Sequence, residues 1–133
     1  MTDYLLDTNA LLLLMLDSPT VAAEVRQTFS DGGRFISHVS AIEIAIKHSI
    51  GKLRLPAPFE IDFVSAFNEV ARNLGAKVIG VELAHIGLLA RLPLRHRDPF
   101  DRLIIAQALV EGMVLITRDR TFSAYEGLEL LKI

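Results

Sequence analysis

Strand-like and helix-like stretches alternate along this 133-residue chain, and that order predicts an α/β fold with a mostly parallel central sheet covered by helices on both faces. Three observations carry the prediction. Short apolar runs at Asp3–Asp7, Phe35–Ser37, Lys77–Val81 and Met113–Thr117 have the length of buried strands. Between them lie segments with helix-start and helix-stop signals. No internal repeat, low-complexity tract or linker divides the chain, so one domain over residues 1–133 is expected.

The first strand, Asp3 to Asp7, leads into a helix from Asn9 to near Asp17, which Ser18-Pro19 ends. Thr20 then caps a helix over Val21–Ser30, stopped by Asp31-Gly32-Gly33, and Phe35-Ile36-Ser37 forms the second strand. Ser40-Ala41-Ile42-Glu43 has capping-box spacing and opens a helix to about Ile50, with Gly51 as its stop. An extended loop over Leu53–Pro58 precedes a long amphipathic helix, Ile61–Leu74, closed by Gly75. The third strand, Lys77–Val81, is followed by a helix from Leu83 to Leu92 that stops before Pro93. Asp98-Pro99 reads as an N-cap with proline at the first helical position, and that helix runs to Glu111 and stops at Gly112. Met113–Thr117 is a fourth buried strand and Leu128–Ile133 an edge strand.

The totals exclude several functions. With no cysteine, the chain has no disulfides, thiolate metal sites or cysteine nucleophile, which fits a reducing cytoplasm. Its longest apolar run, Ala10–Leu16, is far short of the roughly 20 residues that cross a bilayer, and it lacks the flanks of a secretory signal. A cytoplasmic protein without membrane association is therefore expected. A net charge of −2 argues against coating nucleic acid by bulk attraction, yet leaves room for a basic rim around an acidic pocket.

Four carboxylates fall at equivalent places in this scheme. Asp7 ends the first strand, Glu43 and Asp101 lie in first helical turns, and Asp119 follows the fourth strand. Right-handed crossovers put the carboxyl ends of parallel strands and the starts of the following helices on one edge, so all four can share a pocket. Carboxylates crowded there must take up protons or hold a cation. Helix dipoles favour the ionised forms by only about 0.3–1 kcal/mol each, too little to offset the crowding. All-oxygen ligation points to Mg²⁺ or Mn²⁺ rather than zinc, and such ions complete their shell with phosphate oxygens, which favours phosphodiester hydrolysis. Each residue also fits a plain role: Glu43 completes a capping box, Asp98 caps a helix, Asp101 is a first-turn acid, Asp119 is a turn residue, and Asp7 caps the helix after it.

Tyr4-Leu5-Leu6-Asp7-Thr8-Asn9-Ala10-Leu11, the Ser37–Lys47 segment with Glu43, His96-Arg97-Asp98-Pro99-Phe100-Asp101-Arg102 with the Leu103–Ala108 run after it, and Leu115-Ile116-Thr117-Arg118-Asp119 together resemble the PIN-domain family, specifically the VapC-like toxin ribonucleases. The resemblance covers almost the whole chain in order and spacing. It implies a three-layer α/β/α sandwich. It also implies a Mg²⁺- or Mn²⁺-dependent endoribonuclease that leaves 5′-phosphate and 3′-hydroxyl ends, dimerises, and is silenced by a cognate antitoxin. Asp7, Glu43, Asp101 and Asp119 match the family's acidic metal-binding quartet, with Asp7 and Asp101 as the main ligands, Glu43 positioning or deprotonating the water, and Asp119 completing the set. Thr8, Asn9 and Thr117 match its small polar supports, and Asp98 a subgroup loop motif.

Lys47, Arg91, Arg95, Arg97, Arg102, Arg118 and Arg120 lie near the expected edge and form either a solvated face or a rim for the RNA backbone. Arg102 and Arg118, beside two of the acids, are expected to touch phosphate or balance the pocket. His38, His48, His85 and His96 lack metal-ligand spacing and are read as structural or surface residues. Ile42, Ile44, Ile46 and Ile50 exceed one core-facing stripe, which suggests either a partner surface or a fully buried helix. Two other functions compete. A haloacid-dehalogenase-like phosphatase also begins with a strand ending on aspartate, but its second aspartate is replaced here by Asn9. A nonenzymatic metal-binding or antitoxin-binding module would use the acidic edge only for docking.

Overall fold

A computed structural model describes residues 2–16, 23, 25–27, 32–96, 98–119, 122 and 125–133. In chain order the described elements are β1 (Tyr4–Leu6), α1 (Thr8–Leu16), β2 (Arg34–Ser37), α2 (His38–Ser49), α3 (Ala57–Ile61), α4 (Phe63–Leu74), β3 (Ala76–Ile79), α5 (Leu83–Leu89), α6 (Pro99–Glu111), β4 (Val114–Thr117) and β5 (Leu130–Lys132). The expected helix over Val21–Ser30 falls largely outside the described residues; 23 and 25–27 within it are helical, and Val25 is buried.

The five strands form one parallel sheet in the order β3-β2-β1-β4-β5. Strand alternation sends neighbouring side chains to opposite faces, and two apolar clusters result. Leu6, Ile36 and Ile116 pack with α1, Ile44 of α2, α3 and α4 on one face. Leu5 and Leu115 pack with Ile104, Ile105 and Ala108 of α6 and with Phe122 and Tyr125 on the other. This is the three-layer α/β/α sandwich expected from the alternation. No helix among the described residues is long and apolar enough to cross a membrane.

Most element ends follow the chemistry read from sequence. Asp98 caps α6, with Pro99 in its first turn. Gly75 and Gly112 close α4 and α6 in the left-handed conformation, at φ 63° and 66°, where a Cβ would be strained. Three details differ. The expected capping box at Ser40 does not form: β2 runs straight into α2, and Ser37 is the cap, accepting from the Val39 N–H at 2.9 Å. Glu43 therefore sits in the second turn of α2 rather than the first. The long helix expected over Ile61–Leu74 starts at Phe63, capped by Asp62 through Ser65, and a short helix, α3, precedes it from Ala57, within the expected loop, to Ile61. The helix after β3 ends at Leu89, capped by Ala90, short of Leu92.

β1 lies between β2 and β4, and the direction of chain progression reverses there: β2 and β3 follow on one side, β4 and β5 on the other. Such a switch point leaves a crevice at the carboxyl ends of the two diverging strands. The residues immediately beyond β1 and β4 are Asp7 and Arg118-Asp119.

Candidate active site

Asp7 caps α1 with one oxygen and turns the other toward β4. Its Oδ1 accepts from the Ala10 N–H at 2.7 Å, capping α1, while its Oδ2 accepts from the Thr117 hydroxyl. It is 1% exposed. Burial raises its pKa from 3.8 to about 6; Asp119 and Glu43 add to the rise, and the Thr117 and Ala10 hydrogen bonds oppose it. Thr117, at the last position of β4, also accepts from the Asp119 N–H at 2.9 Å. One hydroxyl therefore fixes the acid after β1 relative to the turn after β4.

Glu43 reaches the same crevice from α2. It is 3% exposed, and its Oε2 pairs with Lys47 Nζ at 2.7 Å, one helical turn on. That pairing raises the Lys47 pKa, which holds the ammonium form. Glu43 Oε1 is buried without a hydrogen-bond partner among the described residues. An unpaired buried carboxylate oxygen is costly unless a ligand completes it.

Asp101 lies in the first turn of α6, where Asp98 Oδ1 accepts from the Phe100 and Asp101 N–H groups at 2.9 and 3.0 Å. The Asp101 pKa is raised from 3.8 to about 7, chiefly by burial, with Asp98, Glu43 and Asp7 contributing to the rise and His96 opposing it. The quartet expected from sequence is thus brought together: Asp7 feels Asp119 and Glu43, and Asp101 feels Glu43 and Asp7.

The supports divide. Thr8 is buried and donates to Ser40 Oγ at 3.0 Å, joining the starts of α1 and α2. Asn9 and Arg118 are exposed and line a shallow cavity of about 350 Å³ with Leu12, Leu13 and Leu16. Arg102 does not pair with its neighbouring acid; its Nη2 donates to the Leu92 carbonyl at 3.0 Å. Arg97 and Arg120 lie outside the described residues. Of the isoleucines on α2, Ile44 is fully buried, whereas Ile42, Ile46 and Ile50 are exposed along one stripe.

Histidines give one correction. His48 bonds the Leu53 carbonyl and buried His85 joins Glu82 N to Glu111, as structural residues do. His96 instead stands in the acid cluster, with Nε2 3.0 Å from Asp119 Oδ2 and 3.4 Å from Asp101 Oδ2. Its sequence signal is slight, a histidine two residues before an Asp-Pro helix start.

The arrangement suits a hard divalent cation. Its donors are carboxylate oxygens, burial and neighbouring acids raise the pKa of two of them, and one buried oxygen has no hydrogen-bond partner among the described residues. A family model described as PIN domain matches residues 4–128. No curated protein sequence matches the chain significantly. Among solved structures, VapBC2 from Rickettsia felis, bound to a DNA fragment from the promoter, superposes with a TM-score of 0.75 at 17% identity, covering 98% of both chains. DNA-bound VapBC from Salmonella typhimurium gives 0.71 at 17% identity, covering 99% of this chain and 98% of the other. A toxin–antitoxin complex from Klebsiella pneumoniae gives 0.60 at 16% identity over 96% and 95% of the two chains.

Proposed function

The chain belongs to the PIN-domain family, and on that premise we propose that it is a Mg²⁺- or Mn²⁺-dependent endoribonuclease, the toxin of a toxin–antitoxin pair. The observation that carries the proposal is the gathering of Asp7, Glu43, Asp101 and Asp119 at the switch point, with a buried Glu43 oxygen that has no hydrogen-bond partner among the described residues. A cation bound by these acids would supply charge for the scissile phosphate and a more acidic water, favouring hydrolysis to 5′-phosphate and 3′-hydroxyl ends.

The chain's own residues prepare that chemistry. Asp7 and Asp101 are the main candidate ligands, and Asp119 completes the set from β4. Thr117 holds Asp7 by its hydroxyl proton and the Asp119 backbone by its lone pair. Lys47 occupies one Glu43 oxygen and leaves the other, Oε1, to accept a hydrogen bond or proton from the attacking water. Thr8 keeps α1 and α2 in register, so Asp7 and Glu43 face the same space. Arg118 and Asn9, exposed and close in sequence to Asp119 and Asp7, would contact the RNA backbone.

Partners follow the same reading. The similar structures include complexes described as VapBC and as toxin–antitoxin, which supports a cognate antitoxin for this chain. The Ile42, Ile46 and Ile50 stripe on the helix that carries Glu43 is a surface such a partner or a second copy would cover. The test is RNA cleavage by the purified chain with Mn²⁺, repeated with Asp7→Asn and Asp101→Asn proteins. Cleavage by the wild type alone supports the proposal. A wild-type chain that binds Mn²⁺ and cuts no RNA across a broad panel refutes it.

A further inference from the structure

His96 is only 13% exposed and lies between two of the acids, yet no step above uses it. The Asp98 backbone N–H donates to its Nδ1 at 3.2 Å. A backbone amide can only donate, so Nδ1 carries the lone pair and the ring proton resides on Nε2. That proton points into the cluster, with Asp119 Oδ2 at 3.0 Å and Asp101 Oδ2 at 3.4 Å. The Phe122 ring, 5.0 Å away between centroids and tilted 70°, packs edge-on against the imidazole and fixes its plane.

Nε2 and the two carboxylate oxygens all lie within 4.8 Å of one another, a spacing compatible with a mixed histidine–carboxylate metal site. The proton position opposes that assignment. Ligation through Nε2 would require the proton on Nδ1, setting two donors face to face across the Asp98 contact.

We propose that His96 is a positioning residue rather than a ligand: its Nε2–H holds Asp119 toward Asp101 and leaves the cation an all-oxygen shell. A ring N–H suits this task, because it orients a carboxylate oxygen without itself occupying a position on the cation. The inference rests on the reading of the acids as a cation site, and it adds a preference for Mg²⁺ and Mn²⁺ over zinc, which favours imidazole ligands.

Two conservative variants separate positioning from support of the loop. Glutamine places an amide N–H near the position of Nε2, whereas asparagine places an acceptor near Nδ1 and cannot reach Asp119. Mn²⁺ affinity is measured by calorimetry on wild type, His96→Gln, His96→Asn and His96→Ala, each checked for folding. Affinity close to wild type is expected for His96→Gln, with a loss of about 10–100-fold for the other two, the range for removing a partner of a metal ligand. Long-range ¹H–¹⁵N spectra of histidine-labelled protein should show the Nε2–H form of His96 both without metal and with saturating Mg²⁺. Loss of the Nε2 proton on Mg²⁺ or Zn²⁺ addition overturns the proposal, as does rescue by asparagine but not glutamine, or equal affinity in all four proteins. If the wild type binds neither Mn²⁺ nor Mg²⁺, the cation-site reading itself fails; normal wild-type binding with an unaffected His96→Asn protein sinks the His96 role alone.

Discussion

Replacing Asp7 by asparagine should stabilise the metal-free protein at neutral pH while abolishing cleavage. The ionised carboxylate is 1% exposed, and its pKa of about 6 lies above the ordinary 3.8. The folded state therefore holds the Asp7 proton more tightly than the unfolded chain. Stability contributed by this group falls as pH rises from about 4 to about 6 and is constant above that window. At about 1.4 kcal/mol per tenfold in affinity, the ionised form costs about 3 kcal/mol at pH 7.5. Asparagine removes this cost, and its Oδ1 can still accept from the Ala10 N–H. The NH₂ that replaces Oδ2 cannot accept from the Thr117 hydroxyl, a loss of about 1 kcal/mol. The net gain is about 2 kcal/mol, or about 7 °C in Tm, taking an unfolding entropy of about 2.1 cal/mol/K per residue. Thermal and urea melts in EDTA at pH 4 and pH 7.5 check this. The gain should be present at pH 7.5 and vanish or reverse at pH 4. A pure capping role gives a different result, since asparagine and aspartate cap almost equally well. A wild-type-to-mutant difference that does not change with pH, or a loss of stability at pH 7.5, would refute the account in which burial of the ionised carboxylate destabilises the empty pocket.

Mn²⁺ affinity should rise about tenfold between pH 6 and pH 8 through Asp101 alone, because burial and neighbouring acids hold its pKa at about 7 and the ligand form is deprotonated. Calorimetry at the two pH values reads this directly, and Asp101→Asn should flatten most of the dependence. Thr117→Val keeps the side-chain shape but removes the hydroxyl joining Asp7 to the Asp119 backbone, so cleavage should fall by about 10–100-fold and stability by about 1–3 kcal/mol in single-turnover and urea assays. Arg118→Ala should weaken RNA binding evenly across sequences and lower the salt slope of log K by about 0.7, measured by titration of catalytically silent protein; a sequence-selective loss would assign Arg118 to base recognition instead.

The order of elements was legible because each boundary carries local chemistry. Gly75 and Gly112 stop helices where only a left-handed residue fits, and Asp98-Pro99 starts one. The acids were legible for the same reason, since Asp7, Asp101 and Asp119 follow from where strands end and helices begin. What failed depended on competition between similar local signals. Ser37 and Ser40 both offer a hydroxyl to the start of α2, and only the direct run of β2 into the helix puts the cap at Ser37. Ser40, freed from that role, is fully buried and accepts from Thr8. Asp62 likewise has the chemistry of a cap, but the amphipathic pattern continues across it and hid the break between α3 and α4.

The supports of the acid pocket follow a rule that residue type alone conceals. Lys47 is a cation that pairs with an acid there, and it takes one oxygen of Glu43. Among the described residues, further contacts to these carboxylates come from the Thr117 hydroxyl, the Ala10 N–H and the His96 Nε2–H. Arg102, adjacent to Asp101 in sequence, bonds the Leu92 carbonyl instead. A guanidinium turned onto Asp101 would lower its pKa and stabilise the empty pocket, but it would then compete with the incoming cation. Neutral donors orient the same oxygens and leave their charge available. The His96 contact also has a local cause, because the backbone N–H of a helix N-cap has no partner within its helix. In His-Arg-Asp-Pro that N–H belongs to Asp98 and turns back onto Nδ1, so the residue that starts α6 also sets the proton position of the imidazole beside the acids.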